Sequence, residues 1–206
     1  MKREDFLERV RAATRRNPKA PVTMPPEPPQ PSPPQSPRML AERFKLENER
    51  VLGKVQITRS LVEARDALVK TLEGAKSYIR SNHAILDEVG LPQLTSSLTA
   101  EKASLAEVGI TSCEYAIAAT GSVAFSSEWG RLAALLPYRH VIVLRAAQIV
   151  PDLEDWYAKM AELARSGNLP GAWGMHTGPS KSADIEQTMA LGVHGPGRVD
   201  VIVILE

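Results

Sequence analysis

The chain is 206 residues long, enough for one domain with an appendage or for two small domains. Its 25 basic and 24 acidic residues leave a net charge of +1, which gives no electrostatic case for nucleic acid or an acidic surface as partner. Apolar residues make up 43% and aromatic residues only 5%, so aliphatic side chains and alanine must fill the core, and the single cysteine, Cys113, excludes an intrachain disulfide framework. It equally excludes a cysteine-only zinc site or an iron–sulfur cluster held by this chain alone.

No apolar run approaches the roughly 20 residues that span a bilayer. The N-terminal MKREDFLERV mixes charges of both signs and lacks the long apolar core of a secretory signal, so a cytoplasmic location is expected. Asp5–Arg16 reads as a short basic helix with Phe6, Leu7 and Val10 on one stripe, suited to docking on the main domain or on a partner subunit. Pro18–Pro37 holds ten of the sixteen prolines and reads as an extended spacer, because each ring fixes φ and removes a donor. The expected organisation is therefore residues 1–37 as helix and linker, and 38–206 as the main domain.

Within that domain Met39–Leu52 is charge-laced and helical, and Val55–Thr58 reads as a strand. Ser60–Leu72 is a helix with Leu61, Ala64, Leu68 and Leu72 at helical spacing. Lys76–Arg80 reads as a second strand, with a short helix running to Val89. Gly90, Pro92 and the polar residues 95–99 mark a loop. Glu114–Ala119 reads as a buried strand, Gly121–Ser122 turns the chain into Val123–Phe125, and Leu132–Leu136 is a helical turn or two. His140–Leu144 is a buried strand, Asp152–Arg165 a helix, the following Gly/Pro segment a loop, Lys181–Leu191 a helix, and Val199–Leu205 the last strand. Apolar strands without alternation, interleaved with helices, predict an α/β fold with an open, mostly parallel sheet flanked by helices.

Several strong signatures are absent: G-x-G-x-x-G, Walker A, C-x-x-C, H-E-x-x-H and G-x-S-x-G. What remains is Thr177-Gly178-Pro179-Ser180-Lys181-Ser182-Ala183-Asp184-Ile185-Glu186. Ser180 reads as an N-cap, so the first-turn amides and the helix dipole would make an anion-attracting corner to which Lys181 adds a cation. Downstream, Gly192-Val193-His194-Gly195-Pro196 is a second permissive loop whose His194 titrates near neutral pH. Asp184 and Glu186 have three readings: stabilisation of the helix start through the dipole, orientation of Lys181, Ser180 or His194, or a metal site with His194 and His176. A second candidate is the turn Ala118-Ala119-Thr120-Gly121-Ser122 directly after a strand, where a glycine lets backbone amides approach an anion. Cys113 and His140 read as core residues, and Trp129 and Trp173 as packing residues in loops.

The G-P-S-K-S-A-D-I-E run, G-V-H-G-P and a final aliphatic strand resemble the lactate-utilisation (LUD) domain family, most closely its lactate-utilisation protein C type. Val108-Gly109-Ile110-Thr111, Ala119-Thr120-Gly121-Ser122 and Leu136-Pro137 follow in the same order upstream, so the resemblance covers about 38–206. Ser126-Ser127-Glu128-Trp129-Gly130-Arg131 departs from it, standing where the family often has a glycine-rich stretch. The resemblance implies an open α/β fold like that of ribose-phosphate isomerases, glucosamine-phosphate deaminases and CoA transferases. It also implies a part in oxidising L-lactate to pyruvate, alongside partner subunits that carry the iron–sulfur clusters. It makes Thr120, Gly121, Ser122, Gly178, Pro179, Ser180, Lys181, Asp184, Glu186, His194 and Gly195 contacts of a small anionic metabolite, and it assigns no catalytic group. Two other functions stay open at this point. One is a stand-alone isomerase, CoA transferase or ligase acting on a sugar phosphate, CoA ester or carboxylate, with Glu186 or His194 as base. The other is a scaffold that uses the N-terminal helix to bind a partner.

Overall fold

The computed structural model describes residues 3–15, 33–91, 99–127, 131–182 and 189–206. The chain divides into two units, Met1–Gln30 and Pro31–Glu206. In the first, α1 (Arg3–Arg15) carries Glu4 and Asp5 in its first turn, where the helix dipole favours negative charge. Most of the proline-rich spacer lies outside the described residues.

The second unit opens on α2 (Pro37–Arg50). Ser36 caps it by accepting from the Met39 amide, and Pro37 sits in the first turn, where a missing N–H costs nothing. Leu40, Ala41 and Phe44 are its buried face. The aliphatic runs Val141–Leu144 and Val201–Ile204 have no polar alternation, so they are satisfied only where both faces of a strand are covered. They are the centres of β6 (Arg139–Arg145) and β11 (Arg198–Ile204), which pair in parallel from Arg198 opposite Arg139 to Ile204 opposite Arg145. β1 (Lys54–Thr58) joins the outside of β11, while β3 (Val108–Thr111) and then β2 (Tyr78–Arg80) join the outside of β6. The result is an all-parallel sheet in the order β1-β11-β6-β3-β2.

Period-2 alternation divides the core between the two faces of this sheet. Val141, Val143, Ile202 and Ile204 pack with Ala64 and Leu68 of α3 (Leu61–Leu72) and with Ile85 and Leu86 of α4 (Ala84–Glu88). Ile142, Leu144, Val199, Val201 and Val203 pack on the opposite side against α2 and against a second, smaller sheet. That sheet runs β7-β4-β5-β8, formed by β4 (Tyr115–Ile117), β5 (Ser122–Ser126), β7 (Ile149–Val150) and β8 (Trp173–His176). β4 pairs antiparallel with β5, and β5 antiparallel with β8. The unit also holds the short helices α5 (Ala100–Leu105) and α6 (Leu132–Leu135) and the longer α7 (Leu153–Arg165), the last capped by Asp152. No helix among the described residues is long and apolar enough to cross a membrane.

The expected α/β architecture with a parallel sheet is present; α5 and β3 stand where no element was expected, and three further differences are local. The helix expected over Lys181–Leu191 is absent at both described ends of the segment, and residues 183–188 lie outside the described residues. Those ends are β9 (Lys181–Ser182) and β10 (Ala190–Leu191), an antiparallel pair with Ser182 opposite Ala190. The backbone at the supposed cap is engaged elsewhere: the Ser180 amide donates to Pro196 O at 2.8 Å, and Ser180 O accepts from Gly192 N at 3.0 Å. The second difference is β8, which replaces the loop expected around Trp173. Gly174 serves there as a place where two strands come close, since a Cβ on it would lie 2.8 Å from the Phe125 ring. Third, the turn before Ser122 does not follow a strand of the parallel sheet; it closes the β4–β5 hairpin of the mixed one.

Phe44 is fully buried between α2 and both sheets. Phe44→Ala should lower the free energy of unfolding by about 3–5 kcal/mol. Urea denaturation measures it, and a loss below about 1 kcal/mol would contradict this packing of α2.

Candidate functional site

The last turn of α2 positions the site. Asn48 lies four residues after Phe44, on the buried face, and its Nδ2 donates to Gly121 O at 2.6 Å. Gly121 has φ +65°, and a Cβ there would overlap the Asn48 backbone. The turn 118–121 therefore rests directly on the helix end, which only glycine permits. Val51, the C-cap of α2, receives the other segment. Gly178, with φ +70°, comes so close that a Cβ would lie 2.5 Å from Val51 O, and Lys181 Nζ donates to the same carbonyl at 2.8 Å. A cation on the terminal carbonyls is favourable because the dipole is negative there.

Held in this way, the segments meet. Thr120 Oγ1 and Ser122 Oγ are 2.8 Å apart, and Ser122 Oγ is 2.7 Å from Thr177 Oγ1, so three hydroxyls form a chain from the hairpin turn to the end of β8. Ser122 is buried, Thr120 partly so, and Thr177 is exposed. The loop Gly192–Pro196 folds back on Ser180 through the two backbone bonds given above, and the His194 amide donates to Ser180 Oγ at 3.4 Å. Gly195 lies against Ser180 Cβ, Pro179 is buried, and the His194 residue is exposed.

Two expectations about this region change. Ser180 is no helix cap and Lys181 starts no helix, so among the described residues no helix terminus makes an anion corner at Ser180; the Lys181 ammonium donates to Val51 O instead. Gly121 and Gly178 also have a packing reason for being glycine, namely their approach to α2. Asp184, Glu186 and Trp129 lie outside the described residues.

Behind the hydroxyl chain is a group of aromatic and imidazole rings. His140, on β6, is fully buried, and its Nε2 is 2.8 Å from Thr111 Oγ1. His176, paired with Val123 across β5 and β8, has its ring centroid 5.5 Å from that of His140 and 4.7 Å from that of Phe125. Burial holds His140 well below the ordinary histidine value, with His176 adding to the effect, and burial brings His176 down to about 4. Among the described residues no three His, Cys, Asp or Glu side chains come together as a metal site. Cys113 is buried, and burial, followed by the Glu114 charge, pushes its thiol upward, away from the thiolate that nucleophiles and metal ligands need.

Chemically, the Thr120–Ser122–Thr177 chain can donate and accept O–H hydrogen bonds but does not titrate near neutral pH. It suits holding a carboxylate or hydroxyl rather than moving its protons. Asn48 is an addition to the residues read from sequence, and Thr177, which opens the segment read there, joins the contact residues through its hydroxyl. Asn48 had a signal: a polar side chain continuing the apolar 40, 41, 44 stripe of a helix.

Two outcomes follow from this geometry. Gly121→Ala combines an overlap with a left-handed φ, so it should cost several kcal/mol, about 2 or more, in denaturant titration. An unchanged midpoint would mean that the turn does not rest on α2. Because both buried histidines have native values below their unfolded value of about 6.5, the unfolded state takes up protons first as pH falls. Stability should therefore drop between pH 6.5 and about 4, with a slope approaching about 1.4 kcal/mol per pH unit for each proton. His176→Phe should flatten that slope, and a wild-type profile in the variant would refute the assignment.

Comparison with known proteins gives the family. The LUD domain family model matches residues 80–204. Lactate utilization protein C of Shouchella clausii is 33% identical over 154 residues, which is 67% of this chain and 67% of that protein. The protein of the same name from Halalkalibacterium halodurans is 37% identical over 107 residues, 50% of this chain and 46% of that protein, so this match spans about half of the relative's length. The crystal structure of a DUF162 family protein from Deinococcus radiodurans aligns over 83% of this chain and 99% of that one, with a TM-score of 0.59 at 23% identity, and so shares the fold. On the matched residues and the identity to its relatives, the chain belongs to the LUD domain family.

Proposed function

We propose that this protein works in lactate utilisation, in the cytoplasm, as the component of an L-lactate-oxidising assembly that holds the small anionic metabolite. The names of its relatives support the process. The division of labour rests on the cysteine: a single, buried thiol held in its protonated form leaves the iron–sulfur clusters to partner subunits. Oxidation of lactate to pyruvate releases two electrons and two protons, and in this reading the electrons leave to the clusters of the partners. This chain contributes binding and placement.

The observation that carries the reading is the Thr120–Ser122–Thr177 hydroxyl chain, which joins the two segments of the family resemblance at distances of 2.8 and 2.7 Å. The lactate carboxylate would accept from these hydroxyls, with Gly121 beneath it. Gly178–Lys181 and His194–Gly195 would form the rim; Asp184 and Glu186, contacts in the sequence reading, lie outside the described residues.

The test is co-expression with the cysteine-rich subunits, followed by affinity purification and lactate-dependent dye reduction. The chain should co-purify, and omitting it should abolish lactate oxidation. Ser122→Ala in the complex should raise the lactate KM about tenfold with kcat nearly kept, as expected for a lost hydrogen bond to a charged group. Full activity without the chain, or an unchanged KM in the variant, would sink the assignment.

A further inference from the structure

A cleft lies at the carboxyl end of the parallel sheet. β2, β3 and β6 are neighbours in the sheet and end at Arg80, Thr111 and Arg145. Three residues past each of these ends stand His83, Glu114 and Gln148, and all three line one cleft of about 700 Å³, together with Tyr115, Leu163 and Trp173. The crevice outside the carboxyl ends of parallel strands is where open α/β sheets bind ligands, and this volume falls within the range of small-molecule sites.

The polar groups of the cleft are held in place by the fold. Both Glu114 carboxylate oxygens accept from the Ser126 amide at 2.9 Å. Gln148 is fixed at both ends, its Oε1 accepting from the Arg145 amide at 2.6 Å and its Nε2 donating to Cys113 O. His83 Nδ1 accepts from the Ile85 amide at 3.4 Å, which puts the proton of the neutral ring on Nε2. Burial lowers the His83 pKa, against the raising effect of Glu88. Tyr115 and Trp173 have ring centroids 6.4 Å apart and supply aromatic wall, and Trp173 Nε1 is buried with no hydrogen-bond partner among the described residues. Among those residues Glu114 is the one charged side chain of the lining, with no lysine or arginine beside it.

We propose that this cleft binds a small ring-bearing molecule with a cationic or hydrogen-bond-donating head, anchored on Glu114 and stacked on Tyr115 and Trp173. The lining repels a carboxylate or phosphate, so its ligand is a different molecule from the anion assigned to the hydroxyl chain. A cation beside aromatic faces gains from their quadrupoles as well as from the carboxylate. Preorganised acceptors and donors in an aromatic wall favour a molecule with a flat body and one polar end.

The test is NMR titration of the isotope-labelled full chain with three probes of one shape and different charge: benzylamine, benzyl alcohol and benzoate. Benzylamine should shift the Ser126 amide and the Trp173 indole signals, the latter identified by Trp173→Phe. It should bind at least fivefold more tightly than benzyl alcohol, and benzoate should not bind. Glu114→Gln, which keeps an acceptor for the Ser126 amide, should erase the preference for the amine. Leu163→Trp narrows the cleft from α7 without touching the charge and should block binding while the spectrum stays dispersed. Lactate should leave both reporter signals in place. Binding of none of the probes, equal binding of benzoate and benzylamine, shifts confined to other signals, or an amine preference that survives Glu114→Gln would each overturn the proposal.

Discussion

Asn48 is a buried amide at the end of a helix whose other inward residues are Leu40, Ala41 and Phe44. A polar side chain in that position costs free energy unless it is hydrogen-bonded, so the Nδ2 bond to Gly121 O ties the turn to the helix, while Oδ1 is buried with no partner among the described residues. Asn48 holds the β4–β5 hairpin turn against the helix end, and one turn further Val51 holds Gly178 and Lys181. Two segments more than fifty residues apart thereby meet on one support. The Thr120–Ser122–Thr177 contacts are a result of that support rather than its cause. Three hydroxyls, of which only that of Ser122 belongs to a buried residue, would not bring two loops together by themselves, given the entropy of ordering them.

The two ends of the parallel sheet differ in electrostatic character. At the amino end, Arg139 and Arg198 share the buried Asp200 carboxylate, and Arg139 also reaches Thr71 O. At the carboxyl end, Arg80 and Arg145 are paired with Asp87 and Glu88, and the lining of the cleft keeps Glu114 as its charge. Between the ends, on the face toward the mixed sheet, the imidazoles of His140 and His176 are neutral because burial penalises their charged forms. The molecule thus separates places suited to different ligands with a core that carries no charge of its own on that face.

Much of this organisation was legible in the sequence where local pattern and tertiary environment agree. The aliphatic runs of β6 and β11 require cover on both faces, and they have it. The caps at Ser60 and Asp152 mark helices that form where their spacing predicts. Legibility failed where a distant residue decides. The described ends of the Lys181–Leu191 segment are set where Gly192 and Pro196 reach Ser180, and no spacing rule contains those bonds. Gly174 looks like a loop residue until Phe125 is seen across it. Both segments of the candidate site were visible as motifs, but their shared seat on Asn48 and Val51 was not. His83, Glu114 and Gln148 are unremarkable in the sequence, because only the strand order aligns their three equal offsets.

The strand order has a consequence for how the molecule is made. β1 sits at the edge of the sheet, and its partner there is β11, which pairs on its other side with β6. Residues 54–58 must therefore wait for residues 198–204 before they find a place. While the chain is being synthesised, the sheet is in two pieces, with the α2–β1–α3 segment on one side of a vacant slot and β2-β3-β6 on the other. Closing it joins residues at opposite ends of the domain, the kind of pairing that folds slowly and leaves strand edges open in the meantime. The slot lies beside Val143 and Leu144, among the most apolar stretches of the chain, so the unfinished protein is most exposed to aggregation where the finished one is best packed.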